Sequence, residues 1–223
     1  MRLYYHPLST NARRVVLTAA HLGISLELVA VDFSKGEQRK PEFLRMSPNG
    51  WVPVLDDNGF YLHESHAIMQ YLADGTPGQT VYPTERRARA DVNRWLFWSA
   101  QHFQPAVGLL LWECVIKRMM NLGGPDEHEV KRGERLFGEV APILDAQLKG
   151  KQWVLGDTLT LADLALSAPL TVTEPAKLGL SSYPKMQSWL GRMQSLDAWK
   201  KTTAPPIAPP TIATVRADST SRR

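Results

Sequence analysis

At 223 residues the chain is long enough for one large domain or two modest ones with a substantial core. A formal charge of +4 with no long basic run argues against nucleic acid as partner, and the single cysteine, Cys114, excludes an internal disulfide framework and any CxxC redox or zinc motif. No apolar run approaches the ~20 residues of a spanning helix, and no signal peptide precedes the first predicted strand. A soluble, cytoplasmic protein with no membrane partner is therefore expected.

In chain order, Arg2 to His6 predicts a buried strand that Pro7 ends. Ser9, Thr10 and Asn11 then stand before a helical pattern from Ala12 to Leu22, stopped by Gly23, and each of the three is a competent N-cap. Ile24 to Val31 predicts a second strand, 32–40 a charged loop, and Pro41 to Leu44 a short helix. The stretch from Ser47 to Asp74 follows, SPNGWVPVLDDNGFYLHESHAIMQYLAD. Proline has no N–H to give a ladder, so Pro53 makes Trp51 to Leu55 a short strand entered irregularly, leaving Val52 backbone groups for another partner. The Asp57-Asn58-Gly59 turn joins it to a strand from Phe60 to Leu62. A helix follows with Ile68, Tyr71 and Leu72 at helical spacing and Ser65 in its first turn, where unpaired N–H groups suit a carboxylate. The order βαβ, short helix, ββα gives a four-stranded mixed sheet with helices on its faces, the first two strands parallel and the hairpin antiparallel.

After a linker around Gly75 to Gln79 the pattern becomes wholly helical. A long helix runs from about Glu85 through Trp98, with a bend expected at Pro105, to Met119; Trp95, Trp98 and Trp112 are expected in the core. Further helices are predicted over 126–149, over 158–171 with Thr160 as N-cap and Asp163 three residues on, over 186–193, and briefly near Leu196 to Trp199. From Thr202 on, the chain is rich in Pro, Ser and Thr with terminal arginines, and a packed ending is not expected.

A βαβ-ββα module carrying N-G-x-V-P-V-L and E-S-x-A-I, followed by a helical domain with Thr160-Leu161-Ala162-Asp163-Leu164-Ala165, resembles a cytosolic glutathione S-transferase of the bacterial, theta-, phi- or nu-like kind. The resemblance covers residues 1 to about 200. It implies a thioredoxin-like domain over 1–75, a linker over 76–84, an all-helical domain over 85–200, a flexible tail over 201–223, and a cis proline at Pro53. It also implies a homodimer using glutathione as co-substrate and no metal. On the family pattern Glu64 and Ser65 hold the γ-glutamyl end, Val52 pairs with the cysteinyl backbone beside Pro53, and Gln38 and Arg39 reach the glycine carboxylate. Helix capping is the plainer role of Glu64-Ser65 when the module is ignored. Trp51 is a departure, since a polar side chain is common at that position.

The family's task is to hold the bound thiol as thiolate. A free thiol titrates near ~8.5, and each unit of depression requires about 1.4 kcal/mol of preference for the anion. Ser9 is placed as the thiolate donor, with Thr10 and Asn11 near enough to share or replace it; structurally, each can equally be a helix cap. No G-x-S-x-G elbow makes Ser9 a nucleophile, and His63-Glu64-Ser65-His66 lacks the spacing of a zinc helix. The electrophile is expected against the long helix, with Gln101, His102, Phe103, Trp112 and Val115 as lining candidates. The implied activity is conjugation of glutathione to small apolar electrophiles for detoxification, with reduction of organic peroxides as a side activity. The alternative is a noncatalytic scaffold that keeps the fold to bind a protein partner.

Overall fold

The computed structural model describes residues 1–202 apart from 174, 175 and 177. Of the tail expected over 201–223, residues 203–223 lie outside the described residues, while 201 and 202 are helical.

Four short strands, β1 (Arg2–Tyr5), β2 (Glu27–Ala30), β3 (Val54–Asp57) and β4 (Phe60–His63), form one sheet in the order β2-β1-β3-β4. β1 runs parallel to β2 and antiparallel to β3, and β3 pairs antiparallel with β4, the mixed topology read from the sequence. Leu3 and Leu55 sit opposite each other in the central pair and are fully buried, which pins the register: a one-residue slip of either strand would turn its leucine to the other face.

Helix α1 (Thr10–Leu22) crosses between the parallel strands. It begins at Thr10 because Ser9 Oγ accepts the Ala12 N–H at 3.1 Å, and it ends at Gly23, whose φ of +72° suits glycine. Strand β2 is shorter than the predicted 24–31. The Ile24 N–H is spent on Ala19 O at 2.9 Å, closing the helix end, so the ladder starts only at Glu27. The predicted loop over 32–40 winds into two 3-10 turns, Phe33–Lys35 and Glu37–Arg39, the first capped by Asp32. Helix α2 (Pro41–Met46) and helix α3 (Ser65–Asp74) complete the thioredoxin-like domain.

The rest is helical. Helix α4 (Arg86–Trp98), a π turn (Ser99–Phe103), helix α5 (Gln104–Leu111), a second π turn (Trp112–Ile116) and helix α6 (Lys117–Met119) form one run. Pro105 has no N–H, and the ladder widens just before it: the Gln104 N–H reaches back five residues to Ser99 O. Helix α7 (Glu127–Gln147), helix α8 (Leu161–Ser167), helix α9 (Pro184–Ser195) and helix α10 (Asp197–Thr202) follow. Helix α8 starts later than predicted because Thr160 and Asp163 form a full capping box that leaves Thr158 and Leu159 outside, and it tightens into a 3-10 turn over Ala168–Val172. Of the three tryptophans expected in the core, Trp95 is buried, Trp98 half-buried and Trp112 exposed, the last standing on the second π turn.

One apolar core spans both domains, running from Leu3, Val15, Leu55 and Ile68 of the sheet layer to Trp95, Phe103, Leu144, Leu164 and Trp189 of the helices. Helix α1 is the shared element, packed on α3 on one side and on α8, α10 and the Ala168–Val172 turn on the other.

Candidate functional site

The site is a cleft between the N-terminal end of α1, the turn leading into β3, and the N-terminal end of α3; its walls include Asn11, Trp51, Val52, Pro53, Glu64 and Ser65. The turn is built by local chemistry. Ser47 is buried, its hydroxyl donating to Trp51 O at 3.0 Å and accepting the Trp51 N–H at 3.3 Å, while the Gly50 N–H donates to Ser47 O at 2.8 Å. Gly50 has φ +65°, and a Cβ there would lie 2.7 Å from Gln38 O, so only glycine fits. The Val52–Pro53 peptide is cis. The β1–β3 ladder begins at Val54, so Val52 stays outside it, at the cleft wall.

Helix α3 opens without a cap. Glu64 occupies the N-cap position with φ +70° and ψ +105°, an uncommon backbone for a side chain of its size, and makes no side-chain capping bond. Its carboxylate is left exposed beside the cleft, and the first-turn N–H groups of α3 face the same place as Ser65. An anion there meets unpaired donors and the positive end of the helix.

The three candidate thiolate donors separate in space. Ser9 is half-buried and caps α1, its oxygen accepting from Ala12 while its own O–H stays available to donate. Asn11 reaches the cleft wall. Thr10 is buried and its hydroxyl oxygen accepts from Gln104 Nε2 at 3.1 Å, on the side of the helical domain. Gln38 and Arg39 stand behind the Ser47–Trp51 turn rather than on the wall: Arg39 Nη1 donates to Asn49 O at 3.3 Å. Trp51 is 64% exposed and forms part of the wall.

The electrophile candidates do not gather in one place. Phe103 is fully buried, stacked on Trp98 and packed against Phe137, and Val115 belongs to a small cluster with Leu111 and Cys114. Packing claims both. Gln101, His102 and Trp112 are exposed.

Two residues to which the sequence assigned no role in the site, Arg14 and His66, sit behind the cleft. Arg14 is 1% exposed, donating from Nη1 to Ser65 Oγ at 3.3 Å and from Nη2 to Gln104 Oε1 at 2.6 Å; Nη1 also lies 3.0 Å from His66 Nε2. Burial pushes the Arg14 guanidinium down to about 9, opposed by the Glu64 charge, and burial plus the Arg14 charge pushes His66 down to about 2. His66 is therefore neutral near pH 7 and presents a lone pair to Arg14. The available signal was helical spacing, which sets Arg14 on the stripe of Thr10, Leu17 and Thr18, all buried. Among the described residues no cluster of three His, Cys, Asp or Glu side chains is arranged to hold a metal ion.

A thioredoxin-like sheet with an open α3 N-terminus and a Val-Pro edge, backed by an all-helical domain, defines the two-domain class of glutathione-handling transferases. Comparison with known proteins agrees. Residues 1–74 match the glutathione S-transferase N-terminal domain and residues 103–197 the C-terminal domain. The chain is 34% identical over 206 residues to glutathione S-transferase F10 of Arabidopsis thaliana, covering 90% of this chain and 95% of that one. In solved structures it is similar to glutathione transferase F2 of Populus trichocarpa, with a TM-score of 0.83, 28% identity and coverage of 90% and 96%. It is also similar to a glutathione S-transferase-I bound with lactoylglutathione, with a TM-score of 0.83, 27% identity and coverage of 91% and 98%. The chain belongs to the glutathione S-transferase family and is a glutathione-binding transferase.

Proposed function

We propose that the protein holds glutathione along the cleft, with its γ-glutamyl end at Glu64 and Ser65, its cysteinyl backbone against Val52 beside Pro53, and its glycine end toward Trp51. Gln38 and Arg39 serve that last end by bracing the turn that carries Trp51. The observation that carries this reading is the uncapped α3 N-terminus beside the unpaired Val52 edge: an anion site and a backbone-pairing site on one cleft. The lactoylglutathione held by a related transferase supports the ligand class.

Thiolate stabilisation falls to Asn11, on the cleft wall, together with the free O–H of Ser9; the Thr10 hydroxyl looks the other way. Both donors favour the anion at the α1 N-terminus, so the thiol loses its proton to solvent and the sulfur attacks a small apolar electrophile. The electrophile binds over the exposed side of the α4–α6 run, where Gln101, His102 and Trp112 remain accessible. The same thiolate reduces organic peroxides: attack on the O–O bond releases an alcohol and leaves a glutathione sulfenic acid, which a second glutathione converts to the disulfide and water. The glutathione-binding unit is taken as 1–75 and the helical domain as 85–200, joined by 76–84, in the theta-, phi- or nu-like manner. The working form is a homodimer in the cytoplasm.

Thiolate absorbance of bound glutathione, titrated against pH, tests this. Wild type should hold the thiol about one to two units below its free value. Asn11→Ala and Ser9→Ala should each raise it, and Ser9→Ala should also cost about 1 kcal/mol of stability through the lost cap. An unchanged titration in both variants overturns the assignment.

A further inference from the structure

A single side chain from the helical domain bonds to two residues that back the cleft, Arg14 behind Ser65 and Thr10 between Ser9 and Asn11. Gln104 accepts from Arg14 Nη2 through Oε1 and donates to Thr10 Oγ1 through Nε2. The orientation of this amide is forced, because a guanidinium has only donors: the carbonyl oxygen must face Arg14, which leaves the NH2 for Thr10. The same logic runs on through Arg14. Since Arg14 donates to Ser65 Oγ, that hydroxyl keeps its own hydrogen for an acceptor in the cleft.

Arg14 is also a buried cation without a carboxylate ion-pair partner among the described residues, and its Nε makes no hydrogen bond there. Its side-chain hydrogen-bond partners are all neutral, Ser65, His66 and Gln104, and the Glu64 charge acts on it without forming an ion pair. A buried charge left in this state is costly, and an anion arriving at Ser65 offsets the cost. The π turn over Ser99–Phe103 delivers Gln104 to this point, immediately before Pro105.

We propose that Gln104 is a positioning residue for glutathione. It orients Arg14 behind Ser65, where the γ-glutamyl carboxylate binds, and it holds Thr10 between the thiolate donors Ser9 and Asn11. Gln104 and Arg14 touch no ligand atom themselves. This inference rests on the glutathione reading above, and it assigns part of the recognition of the γ-glutamyl end to the second domain.

The test compares glutathione with 4-aminobutyryl-cysteinylglycine, the same tripeptide lacking only the γ-glutamyl α-carboxylate, bound to wild type, Gln104→Met, Arg14→Met, Arg14→Lys and Thr10→Val by calorimetry, with melting temperature and the thiolate titration measured alongside. Gln104→Met should weaken glutathione about tenfold while leaving the decarboxylated analogue within about twofold of wild type, and Arg14→Lys should recover part of the discrimination that Arg14→Met loses. Thr10→Val should shift the thiolate titration in the same direction as Gln104→Met, without loss of the preference for the carboxylate. Equal losses for both ligands in Gln104→Met overturn the inference while leaving the transferase reading intact. Failure of wild type to bind glutathione overturns both.

Discussion

Glu64 concentrates the conflict between stability and function at the scale of one residue. Its φ of +70° costs on the order of 1 kcal/mol or more, and its side chain does not recover this by capping α3. The backbone turns the first-turn N–H groups of α3 toward the cleft and leaves the carboxylate exposed, 4.0 Å from His63 Nδ1, which suits the role proposed for it at the γ-glutamyl end. Glu64→Gly separates the two effects. Denaturant unfolding should show stability held or raised by up to about 1 kcal/mol, while glutathione KM rises; a destabilised variant would contradict the account. His66 makes a second point at this scale. Its folded pKa is depressed to about 2 against an unfolded value near 6.5. The neutral form is favoured by folding, so its contribution is intact above pH 6.5 and is lost as pH falls below that value, because the unfolded chain takes up a proton that the native site refuses. The slope is about 1.4 kcal/mol per pH unit for one group. His66→Asn, which keeps a neutral acceptor for Arg14, should lose stability less steeply than wild type between about pH 6 and 5, measured as urea midpoints.

At the scale of elements, the sequence was most informative where structure is local. The α1 stop at Gly23, the β3–β4 hairpin through Asp57-Asn58-Gly59, and the Thr160-Asp163 box are each written within a few residues, and each is found. The box does more than its pattern announces. Asp163 is fully buried; its Oδ2 accepts from Thr160 N and Oγ1, while Oδ1 accepts from Val154 N at 2.8 Å and Trp189 Nε1 at 2.9 Å, tying α8 to α9 and to the chain before it. Asp163→Asn puts an NH2 where only donors point. The expected loss is about 3 kcal/mol, from one or two unsatisfied buried donors, read as a lower urea midpoint with an unchanged m-value. What was not legible is the pairing of distant side chains. Arg14 meets Ser65 across 51 residues and Gln104 across 90, and no local pattern encodes either distance. Helical spacing placed Arg14 on the buried face of α1, but an arginine among apolar positions reads as a snorkelling surface residue until its partners are known. The π turns have the same origin: Pro105 signals a bend, whereas the register of the residue before it depends on what α5 packs against.

At the scale of the whole molecule, the continuous core makes the two domains one body, because α1 packs simultaneously on α3, α8 and α10. The surface is less complete than the interior. Phe60 and Tyr61 on β4, Tyr71 on α3 and Phe97 on α4 are exposed, Phe97 to 68%, and α3 and α4 are held side by side by Gln70 to Asn93 and Arg89 to Asp74. Phe60 and Tyr71 are in ring contact at 5.7 Å between centroids, Phe97 lies one helical turn beyond Asn93 on α4, and the exposed arginines Arg86, Arg87 and Arg94 are on the same helix. Scattered apolar residues need no explanation, but aromatics gathered on adjacent elements and edged by arginines have the composition of an interface. In the homodimer proposed above, a two-fold assembly through this face buries the rings of each copy and leaves the cleft open, since Asn11 stands on α1 and Val52 before β3, outside the face, and Ser65 at the far N-terminal end of α3. Phe97→Glu should therefore shift the protein from dimer to monomer in sedimentation at micromolar concentration, with a dissociation constant raised at least about a hundredfold for a desolvated anchor. If wild type already sediments as a monomer, or the variant remains a dimer of unchanged affinity, this face is not the interface. Because the arginines at its edge would be rim groups, salt should weaken the dimer far less than the loss of one ring.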